Sequence, residues 1–229
     1  MKFHDHPAPP GQPASQLWLM LPGAYMKPSD FIEAGFVDAV RRRNLPHDIS
    51  LLEANIAEVA DGSALSLLQQ TLRAEAAERG RRVCLLGISL GAHLALACLA
   101  RASRGPAEAA AAEQVAAACL LAPYLGPRQI AAEVAAAGAL HRWQPAVPPH
   151  NDMPDDDIDL AIWQWLQRQP AGESRLYLGY GRDDRFARGH VLMAEALPAG
   201  QVDTEAGGHV WPVWTVLWNR HLERVYVQR

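Results

Sequence analysis

Residues 83–94 read Val-Cys-Leu-Leu-Gly-Ile-Ser-Leu-Gly-Ala-His-Leu, and this stretch decides the fold of the chain. A short apolar run leads into Gly-x-Ser-x-Gly, and a run rich in Ala and Leu follows. The pattern predicts a strand, a sharp turn with Ser89 at its tip, and a helix. Gly87 and Gly91 lie where a Cβ atom would crowd the crossing of strand and helix. An ordinary strand–turn–helix connection is the alternative interpretation of these residues alone.

The composition is that of a globular protein. The chain has 229 residues, of which 49% are hydrophobic and 20% charged, so one domain is expected. A net charge of −4 and a pI near 6.1 argue against a nucleic-acid partner, which needs a basic surface. No apolar run approaches the length that spans a bilayer, so we expect no membrane partner either.

The start of the chain differs in composition from the rest. Residues 1–16 are rich in Pro and polar groups and lack the apolar segment of a secretory signal. We therefore expect a flexible N-terminal tail over residues 1–16, a single domain over 17–229, and a cytoplasmic protein. Three cysteines lie in apolar runs and are expected to be buried free thiols: Cys84, Cys98 and Cys119.

Apolar runs alternate with helical patterns along the chain, which indicates a mostly parallel sheet with helices on both faces. Strands are predicted at 17–21, 47–52, 82–86, 115–122, 175–180 and 201–204. Helices are predicted at 28–43, 63–79, 90–102, 129–139, 156–168, 186–197 and from Pro212. Parallel sheets place their sites at the carboxyl ends of the strands. Four residues follow predicted strand ends and should meet at one edge: Gly23, Ser89, Asp184 and His209.

A serine nucleophile needs a base to take its proton and an acid to orient that base. On a fold of this type the order along the chain is Ser, acid, His. His209 follows two glycines and precedes a helix, so we expect it to be the base. Either Asp183 or Asp184 can be the acid, and Asp184 is preferred. The alternative interpretation is that both cap the following helix, and one of them is expected to do so.

Acyl transfer also needs two backbone N–H groups directed at the developing negative charge. We expect the N–H of Leu90, directly after the serine, to be one of them. The loop after the first predicted strand should supply the other, at Ala24 or alternatively at Tyr25. An apolar substrate pocket is predicted from side chains whose alternative role is packing: Tyr25, Met26, Tyr124, Trp143 and His141.

Together, the Gly-x-Ser-x-Gly turn, the Pro22-Gly23 loop, Gly-Arg-Asp-Asp at 181–184 and Gly-Gly-His at 207–209 resemble the α/β-hydrolase superfamily. The resemblance is to its serine esterase and thioesterase-like members with a small cap. It implies a three-layer α/β fold, with a reduced, mostly parallel sheet of about six strands, because the first two strands of the larger fold have no room before Leu17. Residues 125–172 are expected to form a small insertion. Many members have His-Gly where this chain has Pro22-Gly23, but only the backbone geometry is needed there.

The resemblance implies a serine hydrolase that cleaves a carboxylic ester of a small soluble substrate through an acyl-enzyme. Neither a metal nor an organic cofactor is expected. A thioester or an acylated peptide is the alternative substrate, because the same site serves all three. A binding protein that keeps the fold without turnover is the alternative of a different class.

Overall fold

The computed structural model describes residues 1–11, 14, 16–79, 83–145, 158–169 and 174–227. Within these ranges one sheet of seven strands forms the centre of the molecule, in the order β1-β3-β2-β4-β5-β6-β7. The strands are β1 Lys2–His6, β2 Gln16–Leu21, β3 His47–Glu53, β4 Val83–Ile88, β5 Val115–Leu121, β6 Leu176–Gly181 and β7 Val202–Glu205. Strands β2 to β7 pair in parallel, and β1 runs antiparallel to β3. The predicted mostly parallel sheet is confirmed.

Helices cover both faces of this sheet, which gives the three predicted layers. The described helices are α1 Pro28–Glu33, α2 Phe36–Arg41, α3 Ile56–Ala60, α4 Ser63–Arg79, α5 Leu90–Ala100, α6 Pro106–Glu113, α7 Arg128–Ala136, α8 Ile158–Gln167, α9 Ala187–Ala194 and α10 Trp211–Leu222. One core cluster contains residues of α4 to α9, and a second contains residues of α1, α2 and α10.

Alternation along the central strands separates the two cores. In β2, Leu17, Leu19 and Leu21 belong to the first cluster, and Trp18 and Met20 belong to the second. Successive side chains of a strand point to opposite faces, so an uninterrupted apolar run is buried on both sides. The short, uninterrupted apolar runs from which the strands were predicted are therefore typical of a sheet that is covered by helices on both faces.

The sheet has one strand more than the six predicted, because β1 lies in the segment expected to be a flexible tail. Its pairing with β3 runs from Lys2 opposite Glu53 to His6 opposite Ile49, so the expectation of a flexible tail is wrong for residues 2–6. Its sequence is mostly polar, and Phe3 is its one hydrophobic side chain packed against the core. Backbone pairing holds this strand, and an apolar pattern could not have predicted it.

The helix predicted over residues 28–43 is two helices. Gly35 separates α1 from α2 with a φ of 79°, a left-handed conformation that interrupts a right-handed helix. The apolar spacing continues across the break, since Phe31, Phe36 and Val40 are all buried in the same cluster. The helical spacing of apolar residues therefore predicts which face is buried, but it does not predict the change of direction at Gly35.

Two described helices, α7 and α8, lie in the stretch predicted to be a small insertion. Helix α8 packs against α5, the helix that follows Ser89. The remaining part of the prediction, at residues 146–157 and 170–172, lies outside the described residues. The three cysteines are free and buried, as expected. None of the described helices has the length and apolar character needed to cross a bilayer.

Candidate active site

Ser89 lies between the end of β4 and the start of α5, in a strained turn. Its φ of 52° and ψ of −109° lie outside the regions that residues with a side chain prefer. Three hydrogen bonds hold this backbone: the Ser89 N–H donates to Leu121 O at 2.9 Å, and the Ser89 carbonyl accepts from the N–H groups of His93 and Tyr124 at 3.0 Å each. Strain of this kind persists only where the surrounding structure enforces it, and it is concentrated at functional sites.

The two glycines of the motif are required by close backbone contacts. A Cβ atom on Gly87 would lie 2.5 Å from the backbone of Ala92, and one on Gly91 would lie 2.0 Å from the carbonyl oxygen of Leu21. Both distances are far shorter than van der Waals contact. The predicted crowding at the crossing of strand and helix is confirmed.

Asp184 and His209 come from different loops and meet at the same end of the sheet. Asp184 follows β6, and His209 lies between β7 and α10. The His209 Nδ1 atom lies 2.7 Å from Asp184 Oδ2, and the Asp184 side chain is completely buried. Burial acts to raise the pKa of Asp184, but the hydrogen bonds from His209 and from the Phe186 N–H outweigh it and hold that pKa below its ordinary value. A carboxylate in this position fixes the tautomer of the ring, with Nδ1 protonated.

Asp183 has a different set of contacts. Its carboxylate accepts the Gly207 N–H at 3.2 Å, and its own N–H donates to the Gly207 carbonyl at 2.9 Å. It therefore anchors the loop that carries His209, and it does not cap α9, whose cap residue Phe186 makes no side-chain capping bond. Of the two candidate acids, Asp184 is the one in contact with the histidine.

Two aromatic side chains enclose the His209 ring. The Phe186 ring lies 5.4 Å from it at 83°, and the Trp214 ring lies 5.0 Å from it at 88°. Both are edge-to-face contacts, the favoured geometry for aromatic pairs. Neither ring was among the predicted site residues, because each contact depends on which loops and helices become neighbours in the fold.

Ala24 and Leu90, the two residues expected to supply the oxyanion donors, lie beside the same small space. Ala24 and Leu90 both line a small cavity of about 10 Å³. Within the described residues, the N–H groups of Ala24, Tyr25 and Leu90 donate to no protein acceptor. The loop is held by a turn in which the Met26 N–H donates to Gly23 O at 3.2 Å, with Tyr25 at a φ of 63°. Free backbone donors at a helix N-terminus and a neighbouring loop can bind a developing negative charge.

Ser89 and His209 lie at the same sheet edge without a hydrogen bond between them, as far as the described residues show. Tyr124 lies between the two residues. Its N–H donates to the Ser89 carbonyl, and its ring lies 6.0 Å from the Phe186 ring, which in turn contacts the His209 ring. Hydrogen bonds of catalytic groups are often long in unliganded sites and shorten when substrate is bound.

The residues predicted to line a substrate pocket lie in different places in the structure. Tyr25 is 91% exposed and lines, with Met26, an open groove of about 500 Å³ beside β3. Tyr124 is half-buried next to Ser89. Trp143 was predicted to line the pocket, but it lies in the core. It is 3% exposed and packs in the first core cluster, because the chain after α7 folds back under α8. His141 lines a separate cavity beside Glu195.

Comparisons with known proteins agree with this architecture. No family model matches the sequence, and no curated protein is similar to it in sequence. Solved structures are similar. The fluorophosphonate-binding serine hydrolase FphF of Staphylococcus aureus superposes with a TM-score of 0.62 at 10% identity, covering 93% of this chain and 84% of that one. Thermogutta terrifontis esterase 2, phosphorylated by paraoxon, gives 0.58 at 17% identity, covering 98% and 88%.

A monoacylglycerol lipase of Paleococcus ferrophilus gives a TM-score of 0.59 at 13% identity and covers 98% of each chain. All three neighbours are hydrolases of esters or of the serine type, and each spans almost the whole of this sheet and its helices. At these identities the likeness concerns the fold, and it agrees with the parallel sheet, the strained serine turn and the strand-end loops described above. The fold of this chain is the α/β-hydrolase fold.

Proposed function

We propose that this protein is a serine hydrolase that cleaves a carboxylic ester of a small soluble substrate through an acyl-enzyme. The observation that carries the proposal is the 2.7 Å contact between His209 Nδ1 and the buried carboxylate of Asp184. It leaves the other ring nitrogen free to act as a base at the edge where Ser89 lies. The fold neighbours support the same chemistry, since those described above are named as serine hydrolase, esterase and lipase.

In the proposed reaction, His209 Nε2 takes the hydroxyl proton of Ser89 as the serine oxygen attacks the ester carbonyl. The N–H groups of Leu90 and Ala24 stabilise the oxyanion, and Asp184 stabilises the imidazolium. The proton passes from His209 to the departing alcohol, which leaves an acyl-serine. Water then attacks the acyl group, with His209 again as the base, and the acid is released.

Labelling with a fluorophosphonate probe tests the proposal directly. The probe reacts with an activated serine and forms a covalent adduct, so we expect one adduct per chain, located at Ser89 by peptide mass spectrometry. Folded protein that acquires no label at Ser89 would contradict the proposal and favour a binding protein without turnover.

Hydrolysis of p-nitrophenyl acetate gives the matching kinetic test. Ser89→Ala removes the nucleophile and should lower kcat/KM by at least about a thousandfold. Ser66→Ala is the control, because Ser66 is an exposed serine of α4 whose hydroxyl donates only to Gly62 O. A panel of acyl esters and thioesters of increasing chain length would then identify the preferred acyl group.

A further inference from the structure

An arginine-lined pocket lies beside the proposed triad. It has a volume of about 280 Å³, and its lining includes the guanidinium-bearing residues Arg128, Arg185 and Arg188. Arg128 is the first residue of α7, Arg185 lies in the turn after β6, and Arg188 lies in the first turn of α9. None of the described residues that line it is acidic. We propose that this pocket binds an anionic group of the substrate, so that the preferred esters carry a carboxylate.

The three arginines are free to bind such a group. All three are exposed, and within the part of the chain that the structure describes none of them has an ion-pair partner. Two other exposed arginines are paired, Arg42 with Asp38 and Arg220 with Glu205. In a protein with a net charge of −4, three unpaired cations around one pocket form a local positive field.

The two carboxylates that adjoin the pocket have other partners. Asp184 precedes Arg185, but its oxygens bind His209 and the Phe186 N–H. Asp159 lies behind Gly126, where its side chain would be 2.6 Å from a Cβ atom on that glycine, and its Oδ1 lies 3.6 Å from His93 Nδ1. Neither carboxylate therefore neutralises the arginines by a direct ion pair.

The pocket is joined to the catalytic histidine through one side chain. Phe186 lines the pocket, and its ring also lies 5.4 Å from the His209 ring. The Arg185 guanidinium lies 4.8 Å above the same ring, a cation–π contact that keeps the charge at the pocket wall. Leu125, which also lines the pocket, directly follows Tyr124, whose N–H binds the Ser89 carbonyl. An ester with its carbonyl at Ser89 can thus extend a charged end toward the arginines.

This inference rests on the proposed function and names the substrate class. It can be tested with two pairs of esters that differ only in charge: 4-acetoxybenzoate with 4-acetoxybenzamide, and monomethyl adipate with methyl adipamate. The first pair places the charge on the alcohol side and the second on the acyl side. We expect kcat/KM for the charged member of at least one pair to be about tenfold higher, since each exposed cation contributes a factor of about two to five.

The arginine variants locate the effect. Each of Arg128→Gln, Arg185→Gln and Arg188→Gln should lower the charged-to-neutral ratio about two- to fivefold, mainly through KM, and the triple variant should bring it close to about one. Arg42→Gln, which changes the net charge equally at a position directly after α2, should leave the ratio unchanged. A preference for the neutral member of both pairs, or a ratio that survives the triple variant, would overturn the inference.

A binding measurement separates this inference from the proposed function. If no ester is hydrolysed and Ser89 is not labelled, the proposed function fails, while the pocket can still be tested with Ser89→Ala. Calorimetry should then show that 4-acetoxybenzoate binds about tenfold more tightly than 4-acetoxybenzamide, and that the triple arginine variant removes the difference. Equal binding of the two compounds would contradict the anionic pocket in that case as well.

Discussion

The ring of His209 is held on three sides by groups of different chemistry. Asp184 binds Nδ1, and the edges of Phe186 and Trp214 restrict rotation of the ring. For the proposed role of His209 as the base, a ring fixed in this way loses little conformational entropy when the reaction begins. Asp183 contributes from a distance, because it binds Gly207 in the loop that carries the histidine. Two adjacent aspartates thus have separate roles, one toward the ring and one toward the loop.

Substitution of the two aspartates distinguishes these roles. Asp184→Asn removes the carboxylate that stabilises the imidazolium and permits the wrong tautomer, so p-nitrophenyl acetate hydrolysis should fall about 10³- to 10⁴-fold in kcat. Asp183→Asn keeps an oxygen that can accept the Gly207 N–H and should cost less than about tenfold. A greater loss in Asp183→Asn than in Asp184→Asn would show that the acid has been assigned wrongly.

At the level of single residues, the position of the site residues after strand ends predicted more about the site than local sequence patterns did. Ser89, Asp184 and His209 all follow strand ends, and that position alone predicted that they would lie at one edge. The contacts of Phe186 and the unpaired state of the three arginines depend on which loops become neighbours in three dimensions. No local sequence pattern carries that information, and the same is true of Trp143, which was expected in a pocket and lies in the core.

At the scale of elements, the packing of α5 against the end of β2 determines the geometry of the serine turn. The helix approaches so closely that Gly91 lies against the carbonyl groups of Leu21 and Pro22. This contact brings the helix N-terminus, with the Leu90 N–H, next to the loop that contains Ala24. The same glycine therefore serves both the packing of α5 on the sheet and the placement of the proposed oxyanion donors.

Gly91→Ala should accordingly destabilise the protein strongly. A Cβ atom 2.0 Å from the Leu21 oxygen forces the helix away from the sheet, and we expect a loss of about 3 kcal/mol or more in the free energy of unfolding by urea. Gly200→Ala is the matched control, because no atom lies within 4 Å of its Cβ position, and it should change that free energy by less than about 0.5 kcal/mol. Equal effects in the two variants would contradict the close packing of α5. If Gly91→Ala yields no folded protein while Gly200→Ala folds normally, the packing argument is supported in its strongest form.

Apolar runs in the sequence predicted the central strands of the sheet well. The exceptions have causes in the backbone or in strand pairing. The Ala-rich run at 115–121 forms β5 despite the helical propensity of alanine, because strands β4 and β6 pair with it on both sides. The break at Gly35 and the polar strand β1 were missed, since the first depends on one dihedral angle and the second on backbone hydrogen bonds to β3.

At the scale of the whole molecule, burial of histidine links stability to pH. Burial lowers the pKa of several histidines: His47, His93, His190 and His221. His221 packs against Tyr177 and Trp218 of the second core cluster. Burial, with the neighbouring Arg224 adding to it, lowers its pKa to about 3 from an ordinary 6.5. The folded protein therefore keeps this ring neutral where an unfolded chain would protonate it.

The sign of the resulting pH dependence follows from proton uptake. Below pH 6.5 the unfolded chain binds a proton at His221 that the folded protein does not, so the contribution is fully present above pH 6.5 and is lost as the pH falls toward about 3. For this group alone the loss by pH 4 is about 3 kcal/mol. Between about pH 7 and pH 4, His221→Phe should weaken the dependence of the free energy of unfolding by urea on pH. His141→Phe, at an exposed histidine, should leave that dependence unchanged. A His221→Phe profile as steep as that of wild type would contradict this account.

The antiparallel strand β1 has a consequence for self-association. Without it, β3 would be the edge of the sheet, and its unpaired N–H and C=O groups would be available to another copy of the chain, between the buried side chains of Ile49 and Leu51. Strand β1 replaces that edge with a short polar one containing Lys2, His4 and Asp5, and at the opposite side β7 is only four residues long. Deletion of residues 1–7 should therefore produce soluble aggregates in size-exclusion chromatography with light scattering, whereas His4→Ala, which keeps the backbone pairs, should not. A few polar residues at the beginning of the described chain thus act as a barrier to intermolecular sheet growth.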